Sequence, residues 1–262
     1  MSMGQTEATH IPELDAATLG EVVIIGGGCY GTFYATQLAE AKRRGKATYT
    51  RLLIVDRDPS CQFTRDMAPS DDRTLVVKDW TEFLDSYLGA AARRSADEAS
   101  AAEIVPSPLM PHLMYEWLVR RAKVRWPGRE IETRPLARGP GTPYDTAAPD
   151  GTRYVSFADW LCPTHCIEPA LCPAIRAPRT WEMSDTLGVL RGELDGDRPT
   201  AGPVLFVCRH RVFAVGTFSV AAVCAGDAVV AEAGQGGSEV DVLVGTVSAC
   251  HGAVNLLHLG AL

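Results

Sequence analysis

The first strongly apolar stretch of the chain, Val22-Val23-Ile24-Ile25, has no polar alternation and ends on Gly26-Gly27-Gly28. A β-branched run of that kind suits a strand buried on both faces of a parallel sheet. From Tyr30 the pattern turns helical, with Tyr34, Leu38 and Ala41 on one stripe. The helix is expected to stop at Lys42-Arg43-Arg44-Gly45, where basic side chains meet the negative end of the dipole and a glycine follows. Arg51 to Val55 reads as a second strand closing on Asp56, Leu75-Val76-Val77 as a third, and Glu103-Ile104-Val105 as a fourth. Thr81 is the expected cap of a helix running to Arg94, with Phe83, Leu84, Tyr87 and Leu88 inward. Pro111 is expected to open another helix, through Val124, at the position proline tolerates best. Strands alternating with helices imply a parallel sheet with right-handed crossovers, so residues 21–125 are expected to form one domain.

The second half reads differently. Residues 126–153 are rich in proline and glycine and show no apolar period, which predicts a connection rather than a folded unit. A domain over 154–262 would follow, with strands at Val204 to Val207 and Asp241 to Val247. The fold class expected is therefore α/β, with a Rossmann-like parallel sheet in the N-terminal half and a Cys-rich α/β C-terminal half.

The turn after the first strand, Gly26-Gly27-Gly28-Cys29-Tyr30-Gly31, matches G-x-G-x-x-G. Gly26 allows a tight turn, Gly28 a close approach of pyrophosphate to backbone, and Gly31 the packing of helix on strand. Asp56, 25 residues after Gly31, stands where an acid can hold a ribose diol. With these residues the chain resembles the NAD-binding Rossmann superfamily, which includes the small nucleotide-binding modules of potassium-transport regulators. The resemblance implies a dinucleotide held by Gly26, Gly28, Cys29, Tyr30 and Gly31, with Asp56 and Arg57 at the ribose. NAD fits better than NADP because Asp56 repels a 2′-phosphate, although Arg51 and Arg57 leave NADP open. FAD ranks third, since Ala35 also suits flavoproteins but no second flavin motif follows. His112, Tyr115 and Trp117 lie on the last helix of this half. Packing on the sheet accounts for them, with His112 as a proton donor near a nicotinamide the weaker reading.

Composition narrows the class. Over 262 residues, 46% hydrophobic and 22% charged, the chain has the balance of a globular protein rather than a disordered or fibrous one. A net charge of −7 argues against a general nucleic-acid binder. The uncharged stretch Val212 to Gly226 falls short of the ~20 residues that span a bilayer. The first residues lack a basic segment followed by an apolar one, so a cytoplasmic protein is expected.

In that reducing setting the eight cysteines are not expected to form a disulfide framework. Cys162, Cys166 and Cys172 are separated by three and five intervening residues in a proline-broken loop. Thiolates are preferred ligands of zinc and of iron–sulfur clusters, and such a loop can wrap several sulfurs around one point. The Cys-Pro pairs lean slightly toward a cluster, while the spacing matches neither a ferredoxin nor a zinc ribbon. Cys208 with His210, and Cys250 with His251, end predicted strands and supply candidates for a fourth ligand. Cys29 follows a strand end too, and Cys61 and Cys224 are read as structural. His165 competes with Cys166 as a ligand, Glu168 is a candidate proton carrier, and Arg176 and Arg179 are surface cations or holders of an anionic substrate.

Two functional classes follow. The first is an NAD(P)-dependent oxidoreductase or electron-transfer protein with a Cys-ligated zinc or iron–sulfur site and a redox partner protein. The second is a non-catalytic sensor of dinucleotide or redox state with a structural zinc.

Overall fold

The computed structural model describes residues 16–91, 101–162, 166–194 and 198–262. The strands that build its two six-stranded sheets are, in chain order, β1 (Glu21–Ile25), β2 (Arg51–Asp56), β3 (Arg73–Val77), β4 (Glu103–Val105), β5 (Ile131–Arg134), β6 (Tyr144–Ala147), β7 (Arg153–Ser156), β8 (Thr200–Val207), β9 (Arg209–Val212), β10 (Val215–Ser219), β11 (Val240–Val247) and β12 (His251–Leu259). The helices are α1 (Cys29–Arg43), α2 (Gln62–Asp66), α3 (Trp80–Ala91), α4 (Leu113–Arg125), α5 (Met183–Glu193) and α6 (Val220–Gln235).

The first sheet runs β9-β10-β4-β1-β2-β3, with β4, β1, β2 and β3 parallel. Successive residues of β1 and β2 belong to different cores. Val23, Ile25, Leu53 and Val55 face one, and Val22, Ile24, Leu52 and Ile54 face the other beside Ala35 and Leu38 of α1. Helices cover both faces, so an unbroken apolar run is the only pattern that leaves no polar side chain buried in these strands.

The second sheet runs β8-β11-β12-β7-β6, with β5 also paired to β12, and only β8 and β11 are parallel. Its inner face, with Phe206, Val242, Val244 and Leu257, joins one core with the first sheet and with α3, α4 and α6. Its outer face carries Leu243, Val247 and Val254 against Met183, Leu187 and Leu190 of α5. The layers are therefore α1 with α2, the first sheet, three helices, the second sheet, and α5. Helix α6 approaches β8 through Gly226, where a Cβ would lie 2.7 Å from Val204 Cγ1. Asp227 beside it takes Arg121 and Arg125 of α4, the latter at 2.8 Å. The architecture is mixed α/β with one parallel-centred and one mixed sheet. Among the described residues no helix is long and apolar enough to cross a membrane.

Several local expectations shift. Asp79, not Thr81, caps α3: its carboxylate accepts the Thr81 N–H at 2.8 Å and its carbonyl accepts the Phe83 N–H at 2.9 Å. Aspartate caps as well as threonine, and the helix starts one residue earlier than its apolar stripe suggests. Its expected end at Arg94 lies outside the described residues. Pro111 falls just before α4, whose N-cap is His112. Residues 126–153, expected as a connection, hold β5, β6 and the first residue of β7. These short strands are half exposed, so they lack the apolar alternation that would mark them. The hairpin β9–β10 follows β8 in sequence yet joins the edge of the first sheet, through Phe218 against Ile104.

Candidate functional site

Strand β1 delivers the glycine turn to the carboxyl edge of the parallel strands. Gly26 has φ +90°, a left-handed backbone that glycine adopts without strain. Gly31 lies so close to the turn that a Cβ would fall 1.7 Å from the Gly26 carbonyl oxygen. Gly28, the N-cap of α1, has open space where its Cβ would stand. The glycines thus divide as tight turn, open approach and close packing. Cys29 and Tyr30, exposed, open the helix behind them.

Asp56 ends β2 beside this turn. One carboxylate oxygen accepts the Gly27 N–H at 2.6 Å and the other accepts the Asp58 N–H at 2.9 Å. Arg57 stands 5.8 Å from the centre of the Trp80 ring. Arg51 pairs with Glu21 across β1 and β2, away from the turn. The sequence brought Gly26, Gly28, Cys29, Tyr30, Gly31, Asp56 and Arg57 together in prospect, and they do lie on one edge. His112 pairs with Glu116 at 3.1 Å, while Tyr115 and Trp117 are buried in the central core.

The cysteine loop is tied to the turn between β11 and β12. Glu168, at φ +50°, accepts hydrogen bonds from Ser248 Oγ at 2.5 Å, Ala249 N at 2.8 Å and Cys250 N at 3.3 Å. Its own N–H donates to Cys166 Sγ at 3.3 Å. The Trp181 indole donates to Cys250 Sγ at 3.3 Å, and that ring stacks on Phe157 at 5.5 Å. Burial pushes the Cys250 thiol up to about 11, with Glu168 adding and the indole and Arg179 opposing. Cys162 is also raised, by burial first, then by Cys166, with Cys172 and Glu168 adding. These thiols therefore share one neighbourhood. Arg179 binds the Trp181 carbonyl and Glu182, both at 2.6 Å, and Arg176 stands exposed at φ +53°.

Cys208 follows β8, its N–H donating to the Val247 carbonyl at 2.7 Å. Burial pushes its thiol up to about 12, with Glu168 and Glu103 adding. Its field also helps to raise the Tyr34 hydroxyl of α1, after burial and Tyr30. Cys61 is buried and lies within 2.5 Å of where a Gly27 Cβ would stand, and Cys224 packs against the central core. Among the described residues no group of three or more His, Cys, Asp or Glu side chains is placed to hold a metal ion. His165 lies outside the described residues.

Two cavities meet at Cys208. One, about 700 Å³, is lined by charged groups including Glu168, Arg179, Asp185 and Arg211, with His210 among them. Burial lowers His210 below the usual histidine range, with Glu168 opposing. The other, about 480 Å³, has Pro106, Ser107 and Pro108 on one side and Tyr154, Ser156 and His251 on the other. Sequence reasoning missed Tyr154, Ser156 and Ser248. Nothing in their own segments marks them, because Ser156 meets His251 and Ser248 meets Glu168 across 80 or more residues.

Residues 114–260 match a family model, AF_1314_C, described as "Uncharacterized protein, C-terminal domain". The match takes in the second sheet, the cysteine loop and both cavity walls formed by β7 and β12. Comparison with curated proteins and with solved structures returned no match.

Proposed function

The chain belongs to the AF_1314_C family, and from the geometry of its N-terminal sheet we propose that it is a Rossmann-type oxidoreductase that binds NAD(H). The observation that carries the reading is the division of roles among three glycines. Gly26 turns, Gly31 has no room for a side chain, and Gly28 has room that no protein atom fills. The parallel order β3-β2-β1-β4 supports it, since ligands of such sheets bind outside the carboxyl ends where the order reverses.

Gly28 and the first N–H groups of α1 would hold the pyrophosphate, aided by the positive end of the helix dipole. Asp56 would accept the ribose hydroxyls and disfavour a 2′-phosphate, and Arg57 would lie on the adenosine side. A bound nicotinamide supplies a two-electron hydride acceptor or donor. The test is calorimetric titration with NADH, NADPH and FAD. NADH is expected to bind most tightly, and Gly28→Val to abolish binding with the fold intact. Equal NADH affinity in wild type and Gly28→Val overturns the proposal.

The sharing of one neighbourhood by Cys162, Cys166, Cys172 and Cys250 favours a second reading, in which the protein senses redox state or a metal. Zinc or an iron–sulfur cluster would be held by these thiolates, and no step is assigned to either. Metal content of anaerobically purified protein, with NADH consumption over a substrate panel, separates sensor from enzyme.

A further inference from the structure

The 480 Å³ cavity differs from its neighbour in charge. Among its described lining residues none is Asp, Glu, Lys or Arg, whereas the 700 Å³ cavity carries several of each sign. Its volume falls within the ~300–1,000 Å³ usual for small-molecule sites. Three prolines, Pro106, Pro108 and Pro111, give it rigid apolar surface, and Tyr144 and Tyr154 give it aromatic faces. A charged ligand would find no counter-ion among these lining side chains to offset the water it gives up.

Its polar equipment is narrow and organised. Ser156 Oγ lies 2.9 Å from His251 Nδ1, accepts the Ala158 N–H at 2.9 Å and is placed to donate to the Ala158 carbonyl at 2.9 Å. A hydroxyl has one proton. When Ser156 donates it to Ala158, His251 must donate through Nδ1, which leaves the Nε2 lone pair to accept from a ligand. The site is also placed by register. Ile24 of β1 pairs with Val105 of β4, so Pro106 and Ser107 leave the sheet next to the glycine turn. Asp56 ends β2 on the opposite side of β1, which puts the adenosine half there and the far half of a dinucleotide toward β4.

We infer that this cavity binds an uncharged small molecule built on one aromatic or alicyclic ring, with a single hydroxyl group directed at His251. The ligand's role as substrate rests on the dinucleotide reading; its binding does not. The ring is held by Tyr154 and the prolines, and its hydroxyl donates to the His251 Nε2 lone pair that Ser156 keeps oriented.

The test uses the full chain with benzyl alcohol as probe and benzoate as its charged counterpart, followed through the His251 imidazole resonances. Benzyl alcohol is expected to shift them saturably, and benzoate at the same concentration to leave them unmoved. In calorimetry His251→Gln, a change at an exposed side chain, is expected to weaken benzyl alcohol several-fold, and Ser156→Ala to do the same if it folds. NADH affinity, measured separately, is expected to stay unchanged in His251→Gln. No saturable shift with benzyl alcohol, or benzoate bound as tightly, overturns the inference. Benzyl alcohol binding without any NADH binding upholds the site and overturns the dinucleotide reading instead.

Discussion

Glu168 Oε1 accepts the hydroxyl of Ser248 at 2.5 Å, across 80 residues of sequence. Through that bond and two backbone N–H groups, one carboxylate joins the cysteine loop to the turn between β11 and β12. Glu168 holds a left-handed backbone to do so, a conformation that costs a non-glycine residue of order 1 kcal/mol.

Replacing Glu168 with Gln keeps the shape but removes the charge and turns one of the two accepting oxygens into an NH2 that cannot accept. The expected loss is about 1–3 kcal/mol, since bonds to a charged acceptor are the stronger kind. For a chain of this size that lowers the thermal midpoint by roughly 2–4 °C per kcal/mol. Differential scanning calorimetry reads it directly. An unchanged midpoint would mean the loop holds its place without Glu168.

The two glycines of the turn should separate folding from binding. Gly31→Ala puts a methyl 1.7 Å from a backbone oxygen, so strand and helix must part. Destabilisation at or above the ~1–3 kcal/mol typical of overpacking is expected in urea titrations. Gly28→Ala meets nothing within 4 Å and should cost only a few tenths of a kcal/mol as a cap change. NADH binding is expected to suffer in both, but only Gly31→Ala should lose stability.

Acid should weaken the protein through histidines whose charged form the fold desolvates. Burial lowers His210 and His251 from the usual 6.5, so the unfolded chain binds these protons first as pH falls. Stability from this source is complete above the unfolded value near 6.5 and declines as pH drops from there to the folded value. His210→Gln should flatten part of that decline, measured as the thermal midpoint at pH 7.5 against about pH 5. An identical slope in the variant would assign the acid sensitivity to other groups.

Thiol reactivity should rank by burial and protonation. Cys29 is exposed at the start of α1, whereas Cys61, Cys172 and Cys250 are buried and the Cys208 thiol is held up to about 12. Reaction requires the thiolate, so Cys29 should alkylate first in native protein and Cys208 among the last. Mass spectrometry of timed iodoacetamide labelling gives the order. If Cys29 binds beside a dinucleotide, saturating NADH should slow its labelling and leave the buried thiols unaffected.

From Glu21 to Asp56 the order of elements was legible in the residues almost completely. Strand, glycine turn, helix, strand and acid are each set by residues within a few positions of one another, through apolar period, glycine conformation and charge at a helix end. The burial of Val22 to Ile25 on both sides was legible too, because no solvated strand carries that pattern. The tertiary structure alone decided what the second half contributes. Ser156 meets His251, Glu168 meets Ser248, and the hairpin β9–β10 leaves its sequence neighbours to extend the first sheet. The cysteine loop shows the limit most plainly: spacing placed three thiols near each other, but only packing decided that Cys250 joins their neighbourhood while Cys208 faces the cavities. Local period and turn chemistry are written in adjacent residues. The partner of a serine or a thiol depends instead on which distant backbones are brought together when apolar faces find cover.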